Sequence, residues 1–169
     1  MSRRFVSRYF GRLSYEPEDV LSFPRGLVGF EQNRSWLLLD DGKGSGVRWL
    51  QSLDEPELAF PVTAPDAVKP DYAARISEDD LQSVGALGGQ SDNLALLVLL
   101  TVPQTSPWEA TANLRAPILV NAGTRQALQV IALDEAYSIR QPVNAGVEVP
   151  GGGGVVVRSR SSRAAAVPC

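Results

Sequence analysis

Three carboxylates, Asp54, Glu55 and Glu57, fall within the stretch WLQSLDEPELAFPV (49–62), and a fourth, Asp71, follows in PDY. Two such groups brought to either side of a glycosidic bond can do the acid–base work of hydrolysis. On an open surface the same groups attract a basic partner instead. The rest of the chain gives the first use little support. There is no histidine, which removes the commonest general base and the commonest metal ligand. The single cysteine is Cys169, so no Cys/His nucleophile pair, zinc cluster or internal disulfide can be assembled. Aromatic platforms for a sugar would have to come from Trp49, Tyr72 and Trp108 alone. Asp54, Glu55 and Glu57 therefore read as an exposed connection between two core strands. A carboxylate-dependent hydrolase is the alternative, and neither a cofactor nor a metal is expected.

The glycines of FPRGLVGFE (23–31) do not make a phosphate cradle, because Gly26 and Gly29 lack a following Lys-Ser/Thr. They read as a tight turn, with Phe23, Leu27, Val28 and Phe30 packing inward. In TANLRAPILVN (111–121), Pro117 cannot donate to a β-ladder, which predicts an edge, a strand start or a bulge. An open edge there could accept a partner, with Asn113 bridging to its backbone and Leu114 as apolar anchor. The plainer reading is that Asn113 satisfies its own local backbone.

The elements that must position these groups are mostly strands. Short apolar runs rich in valine and aromatics alternate with Gly, Pro and Asp clusters, the pattern of an all-β sandwich or barrel. Strands are expected near Phe5–Leu13, Val20–Phe23, Ser35–Leu39, Val47–Ser52, Leu58–Thr63, Leu94–Val102, Ala112–Leu114, Ile118–Asn121 and Gln126–Leu133. Hairpin connections are expected at Asp40–Gly46 and Asn121–Gln126, and a short turn at Glu16–Asp19. One helix is predicted over Glu78–Leu87, with Ser77 as N-cap, acids in its first turn, Leu81, Val84 and Leu87 on one face, and Gly88–Gly89 as its end. At 169 residues the chain suits a single domain. We place a barrel-like antiparallel domain at 1–143 and a disordered Gly/Arg/Ser-rich tail at 144–169, where GGGG and RSRSSR replace the earlier patterning.

Charge is uneven. Residues 54–92 hold nine acids against Lys69 and Arg75, a balance of −7 in a chain of net −3, whereas the first twelve residues hold four arginines. The acidic middle disfavours nucleic acid and suits a basic partner, although half of its acids are explained as helix-cap and turn residues. No apolar run approaches the ~18 residues of a membrane span. The N-terminus lacks a secretory core, and a cytosolic protein without membrane or direct nucleic-acid contact is expected.

Several short motifs stand in one order: F-x-x-G-L-x-G-F-E at Phe23–Glu31, W-L-Q-S at Trp49–Ser52, L-A-F at Leu58–Phe60, P-D-Y at Pro70–Tyr72, N-L-x-A-P-I at Asn113–Ile118, then V-N and Q-V-I at Gln129–Ile131. In that order, across about Phe5–Val143, the chain resembles the flagellar assembly factor FliW family. The resemblance implies a small non-catalytic β-barrel that binds flagellin and alternatively the RNA-binding translational regulator CsrA, relieving repression of flagellin synthesis; a monomer is expected. It gives the acidic middle a basic target. The residues expected to meet a partner are Asp54, Glu55, Glu57, Asp71, Tyr72, Asn113, Leu114 and Pro117. A purely structural or oligomerising β-domain is the remaining alternative.

Overall fold

The computed structural model describes residues 1–40, 46–86 and 93–143. The expected tail at 144–169, the end of the predicted helix at Leu87–Gly89 and most of the Asp40–Gly46 connection lie outside the described residues.

Among the described residues eleven strands are formed: β1 Arg3–Ser7, β2 Gly11–Tyr15, β3 Leu21–Ser22, β4 Ser35–Asp40, β5 Arg48–Ser52, β6 Ala59–Thr63, β7 Leu94–Thr101, β8 Thr111–Ala112, β9 Ile118–Asn121, β10 Gln126–Gln129 and β11 Gln141–Pro142. Two short helices, α1 Pro65–Val68 and α2 Glu78–Ser83, follow β6. Seven strands close a barrel in the order β7-β6-β5-β4-β3-β10-β9 and back to β7. The long strand β7 makes closure possible by changing neighbours along its length. Leu94–Leu97 pair with β9, Val98 and Leu99 with β6, and Leu100 and Thr101 with β8. Such a stagger is what a tilted, closed sheet requires.

The apolar runs are continuous because the strands are covered on both faces. In SWLLLD, Trp36 and Leu38 point into the barrel with Phe23, Leu50, Val62 and Ile118. Leu37 and Leu39 point outward, beneath Phe5, Leu13 and Tyr15 of the β1–β2 hairpin. In LALLVLL, Leu97 faces the interior, while Val98 and Leu100 join Val68, Ala112 and Leu114 in an outer cluster. Full burial of each leucine stabilises by roughly 1.5–3 kcal/mol, so these two strands dominate the core.

The structure corrects several expectations. Phe5–Leu13 is not one strand but the two arms of a hairpin. The reversal has no Pro, Asn or Asp; the Ser7 hydroxyl closes it by accepting from the amides of Tyr9 and Phe10, each at 3.1 Å. The strand expected over Gln126–Leu133 ends at Gln129, although the Val130 and Ala132 amides still bond the Pro117 and Arg115 carbonyls. Ser77 caps α2 as predicted, accepting from the Asp80 amide at 3.2 Å. The helix stops early, because Gly85 adopts φ +79 immediately after its last turn. Of the residues in FPRGLVGFE, Phe23 and Leu27 are buried, but Val28 is 72% exposed and Phe30 37%. Gly26 folds this loop back so tightly that a Cβ there would lie 2.5 Å from the Phe30 carbonyl oxygen. The loop is thereby pinned to the barrel by buried Leu27 and by Phe30 against Phe60, with the Val28 side chain exposed.

Candidate partner-binding surface

The acidic turn is built from below. Gln51 is fully buried. Its Oε1 accepts from Ser7 Oγ at 2.7 Å, which ties the hairpin to β5. Its Nε2 donates to the carbonyls of Ser52 at 2.9 Å and Leu58 at 3.1 Å, with those of Pro56 and Glu55 at 3.3 and 3.4 Å. An amide nitrogen has two hydrogens, so four oxygens around it hold the loop by shared attraction. Ser52 Oγ donates to Asn33 Oδ1 at 2.7 Å and accepts from the amides of Asp54 and Glu55 at 3.0 Å. Asn33 Nδ2 then donates to Glu55 Oε1 at 3.1 Å.

The three carboxylates are not equivalent. Asp54 Oδ2 accepts from the amides of Arg34 and Ser35 at 2.9 and 3.2 Å, and so caps the entry of β4. Glu55 leans on Asn33. Glu57 is exposed and makes no side-chain hydrogen bond or ion pair among the described residues. All three keep solvent-facing area, on a turn whose backbone cannot easily change shape.

Asp71 and Tyr72 lie elsewhere. Asp71 is exposed and pairs with Lys69 at 3.2 Å. The Tyr72 hydroxyl donates to the Leu114 carbonyl at 2.7 Å, and its ring packs on Tyr137 with centroids 4.5 Å apart. Burial, with Tyr137 and Asp134 nearby, pushes the Tyr72 phenol up to about 12. Beside it, Asp134 accepts from the Arg75 amide and from Arg75 Nε, both at 2.8 Å, and these bonds hold its carboxyl below the ordinary range. Asp54 is engaged by the Arg34 and Ser35 amides and Asp71 by Lys69, and the two share no bonding partner among the described residues. A hydrolytic pair would need them gathered.

The segment Asn113–Pro117 is knitted inward. Asn113 Oδ1 accepts from the Ala116 amide at 3.0 Å, the local use that competes with partner binding. Leu114 is fully buried, so its side chain cannot serve as an exposed anchor. Pro117 is buried and precedes β9, which is paired by β10 on one side and β7 on the other. The open edge expected here is therefore a strand start inside a closed barrel.

The structure also exposes side chains that sequence reasoning passed over. Ile131 and Leu133 are 56% and 52% exposed, while Val130 and Ala132 between and before them are buried. Gln129 links this row to the Gly26 loop: its Oε1 accepts from the Val28 amide at 3.0 Å, and its Nε2 donates to the Ala116 carbonyl at 3.2 Å. The alternation in QVIAL was the available signal; a strand reading over the whole run hid which face was wet.

The fold and these contacts define a small closed β-barrel whose buried amides and hydroxyls are spent on holding its own loops, leaving charged and apolar side chains outside. Among the described residues no helix is long and apolar enough to cross a membrane, and no cluster of acidic, Cys or His side chains is arranged to hold a metal. A family model described as FliW protein matches residues 4–143, and the chain belongs to that family. It is 40% identical over 140 residues to the flagellar assembly factor FliW of Syntrophomonas wolfei subsp. wolfei, covering 83% of this chain and 88% of that protein. It is 36% identical over 151 residues to the FliW of Leptospira interrogans serovar copenhageni, covering 88% and 99%. A crystal structure of the flagellar assembly factor FliW superposes with a TM-score of 0.75 at 28% identity, over 83% of this chain and 96% of that one.

Proposed function

We propose that this protein works in the cytoplasm as a non-catalytic, monomeric binding factor, holding flagellin and antagonising CsrA so that flagellin translation follows assembly. The observation that carries the reading is the acidic turn Asp54–Glu57, an exposed set of carboxylates on a backbone held by Gln51, Ser52 and Asn33. A rigid display loses little conformational entropy on association, and rim carboxylates steer a basic partner. On this reading CsrA meets Asp54, Glu55 and Glu57, with Asp71 as a more distant contributor of charge. On the same reading Tyr72, Asn113, Leu114 and Pro117 serve the fold rather than the contact, since their bonds and packing lie within the barrel's other outer cluster.

The test is direct. The purified chain is mixed with flagellin, and separately with CsrA, from the same organism and run by size exclusion at micromolar concentration. Co-elution with each is expected. Separate elution of well-folded proteins from both mixtures would remove the proposal, and co-elution with flagellin alone would remove its CsrA arm.

A further inference from the structure

The β1–β2 hairpin lies beside the acidic turn and carries the opposite charge. Its inner side is fixed: Phe5, Leu13 and Tyr15 pack over Leu37, Leu39 and Trp49. Ser7 is bonded to Gln51, and the Arg8 amide donates to the Pro56 carbonyl at 3.0 Å. The pairs Arg4↔Ser14 and Val6↔Arg12 then stand on the outer side, with Arg8 and Tyr9 at the reversal. Val6 is 64% exposed and Tyr9 61%, and all three arginines are exposed.

None of Arg4, Arg8 and Arg12 makes an ion pair among the described residues, even with the acidic turn adjoining. In that turn Asp54 is drawn to the Arg34 and Ser35 amides and Glu55 to Asn33, and Glu57 pairs with none of the three arginines. Three cations are left unneutralised around an exposed valine. Neither β1 nor β2 has another strand beside it among the described residues.

We infer that the outer face and open edges of this hairpin dock an acidic polypeptide segment. A phosphodiester chain could neutralise the arginines, but it would leave Val6 unused and could not complete a β-ladder. An extended peptide can do both, giving main-chain bonds to an edge and side chains to the flanking positions. Charge on an edge strand repels like-charged strands and disfavours neutral ones, whose docking would desolvate it without compensation, so arginines here admit a strand of opposite sign. Arginine also pairs with carboxylates by two parallel bonds, which fixes register. The inference stands apart from the proposed CsrA contact, since it concerns residues of opposite charge and a different class of partner.

The experiment uses the full chain and a fluorescent peptide of alternating glutamate and valine, followed by anisotropy at low and high salt. Alternating serine and valine, and a single-stranded oligouridine, serve as comparison probes. The glutamate peptide should bind, and binding should weaken with salt. Arg4→Glu with Arg12→Glu should weaken it about tenfold or more, since two charge-assisted contacts are lost. Arg4→Lys with Arg12→Lys should keep most of the affinity. Melting temperature is measured on each variant, and Arg4→Ser with Arg12→Ser replaces the reversal if that variant does not fold. Equal binding of the serine peptide, tighter binding of oligouridine, or unchanged affinity in the reversed variant would each overturn the inference. So would self-association of the serine variant with peptide affinity intact, because the arginines would then only guard the edge.

Discussion

The turn Leu53–Glu57 and the segment Asn113–Pro117 look alike in sequence, each a polar insertion beside a strand with one proline. The barrel uses them in opposite ways. In the first, buried Gln51 and Ser52 lie beneath the backbone, and the carboxylates project outward. In the second, Leu114, Ala116 and Pro117 are themselves buried, and Asn113 turns back onto the Ala116 amide. The difference teaches that the place of a segment's hydrogen-bonding support decides whether its side chains stay available. Support from below leaves side chains free, whereas support from the segment's own side chains consumes them.

The largest effect should come from the second region. Leu114→Ala removes a fully buried side chain from the outer cluster with Val98, Leu100 and Ala112. It should cost about 2–5 kcal/mol. Combined with Asn113→Ala, any loss of partner affinity should follow the loss of folded protein and vanish once affinity is corrected for it. A folded double mutant that still binds more weakly would break the comparison.

Gln51→Ala should come next. It takes the acceptor from the Ser7 hydroxyl and the side-chain donor from the Ser52 carbonyl, while the Leu58 carbonyl keeps the Ser52 amide. Leaving buried polar groups unpaired costs about 1–3 kcal/mol. The two regions should then separate: hydrogen exchange ought to quicken in the hairpin and the acidic turn and stay slow around Asn113. Uniform quickening would mean that Gln51 supports the whole barrel rather than the display.

An alkaline titration isolates the second region. The unfolded Tyr72 phenol ionises near its ordinary pH 10, whereas in the fold it keeps its proton to about 12. Between these values the folded chain holds a proton that the unfolded chain has lost, so stability falls as pH rises through that window and is unaffected below it. Because Tyr72 is partly exposed, the loss should be of order 1 kcal/mol after solvent screening. Tyr72→Phe should abolish this part of the pH dependence while costing about 1 kcal/mol for the bond to Leu114. Parallel alkaline melting curves for the two proteins would exclude Tyr72 as the source.

Much of this was legible in the chain. Ile118–Asn121 is a strand with the predicted bounds, Ser77 caps its helix, and the WLQS–LAF pair does flank an exposed acidic turn. What escaped the sequence was fixed by distant neighbours. Ser7 closes a hairpin, but its hydroxyl is held in place by Gln51, 44 residues away. Helix α1 is four residues long, too short to carry a periodic signal. Pro117 read equally as an edge, a strand start or a bulge, and it is the strand start; one missing amide hydrogen says nothing about the two strands on either side of β9. The candidate contacts fared similarly: residue types indicated carboxylates and amides, but only the packing shows which are already occupied.

The smallest effects on stability should give the sharpest division within the acidic turn itself. Asp54 and Glu57 carry the same charge and are both exposed, so a purely electrostatic surface treats them alike. Their structural duties differ. Asp54 accepts from two backbone amides at the start of β4, as an N-cap residue does for a helix, and Glu57 accepts from none. Asp54→Asn keeps an acceptor and should cost only a few tenths of a kcal/mol, whereas Asp54→Ala should cost about 1 kcal/mol. Glu57→Lys should leave the melting temperature unchanged, since surface substitutions away from such bonds stay within about 0.5 kcal/mol. Yet Glu57→Lys changes the local charge by two units, and if this turn steers CsrA, the association rate should drop more for it than for Asp54→Ala. Raising ionic strength should shrink that gap, because the Debye length falls from about 10 Å at 0.1 M to about 3 Å at 1 M. Stopped-flow association rates for the two variants at two salt concentrations decide the matter. A Glu57→Lys rate equal to that of the unaltered chain would show that the display points away from its partner, and the contrast between the regions would then concern stability alone.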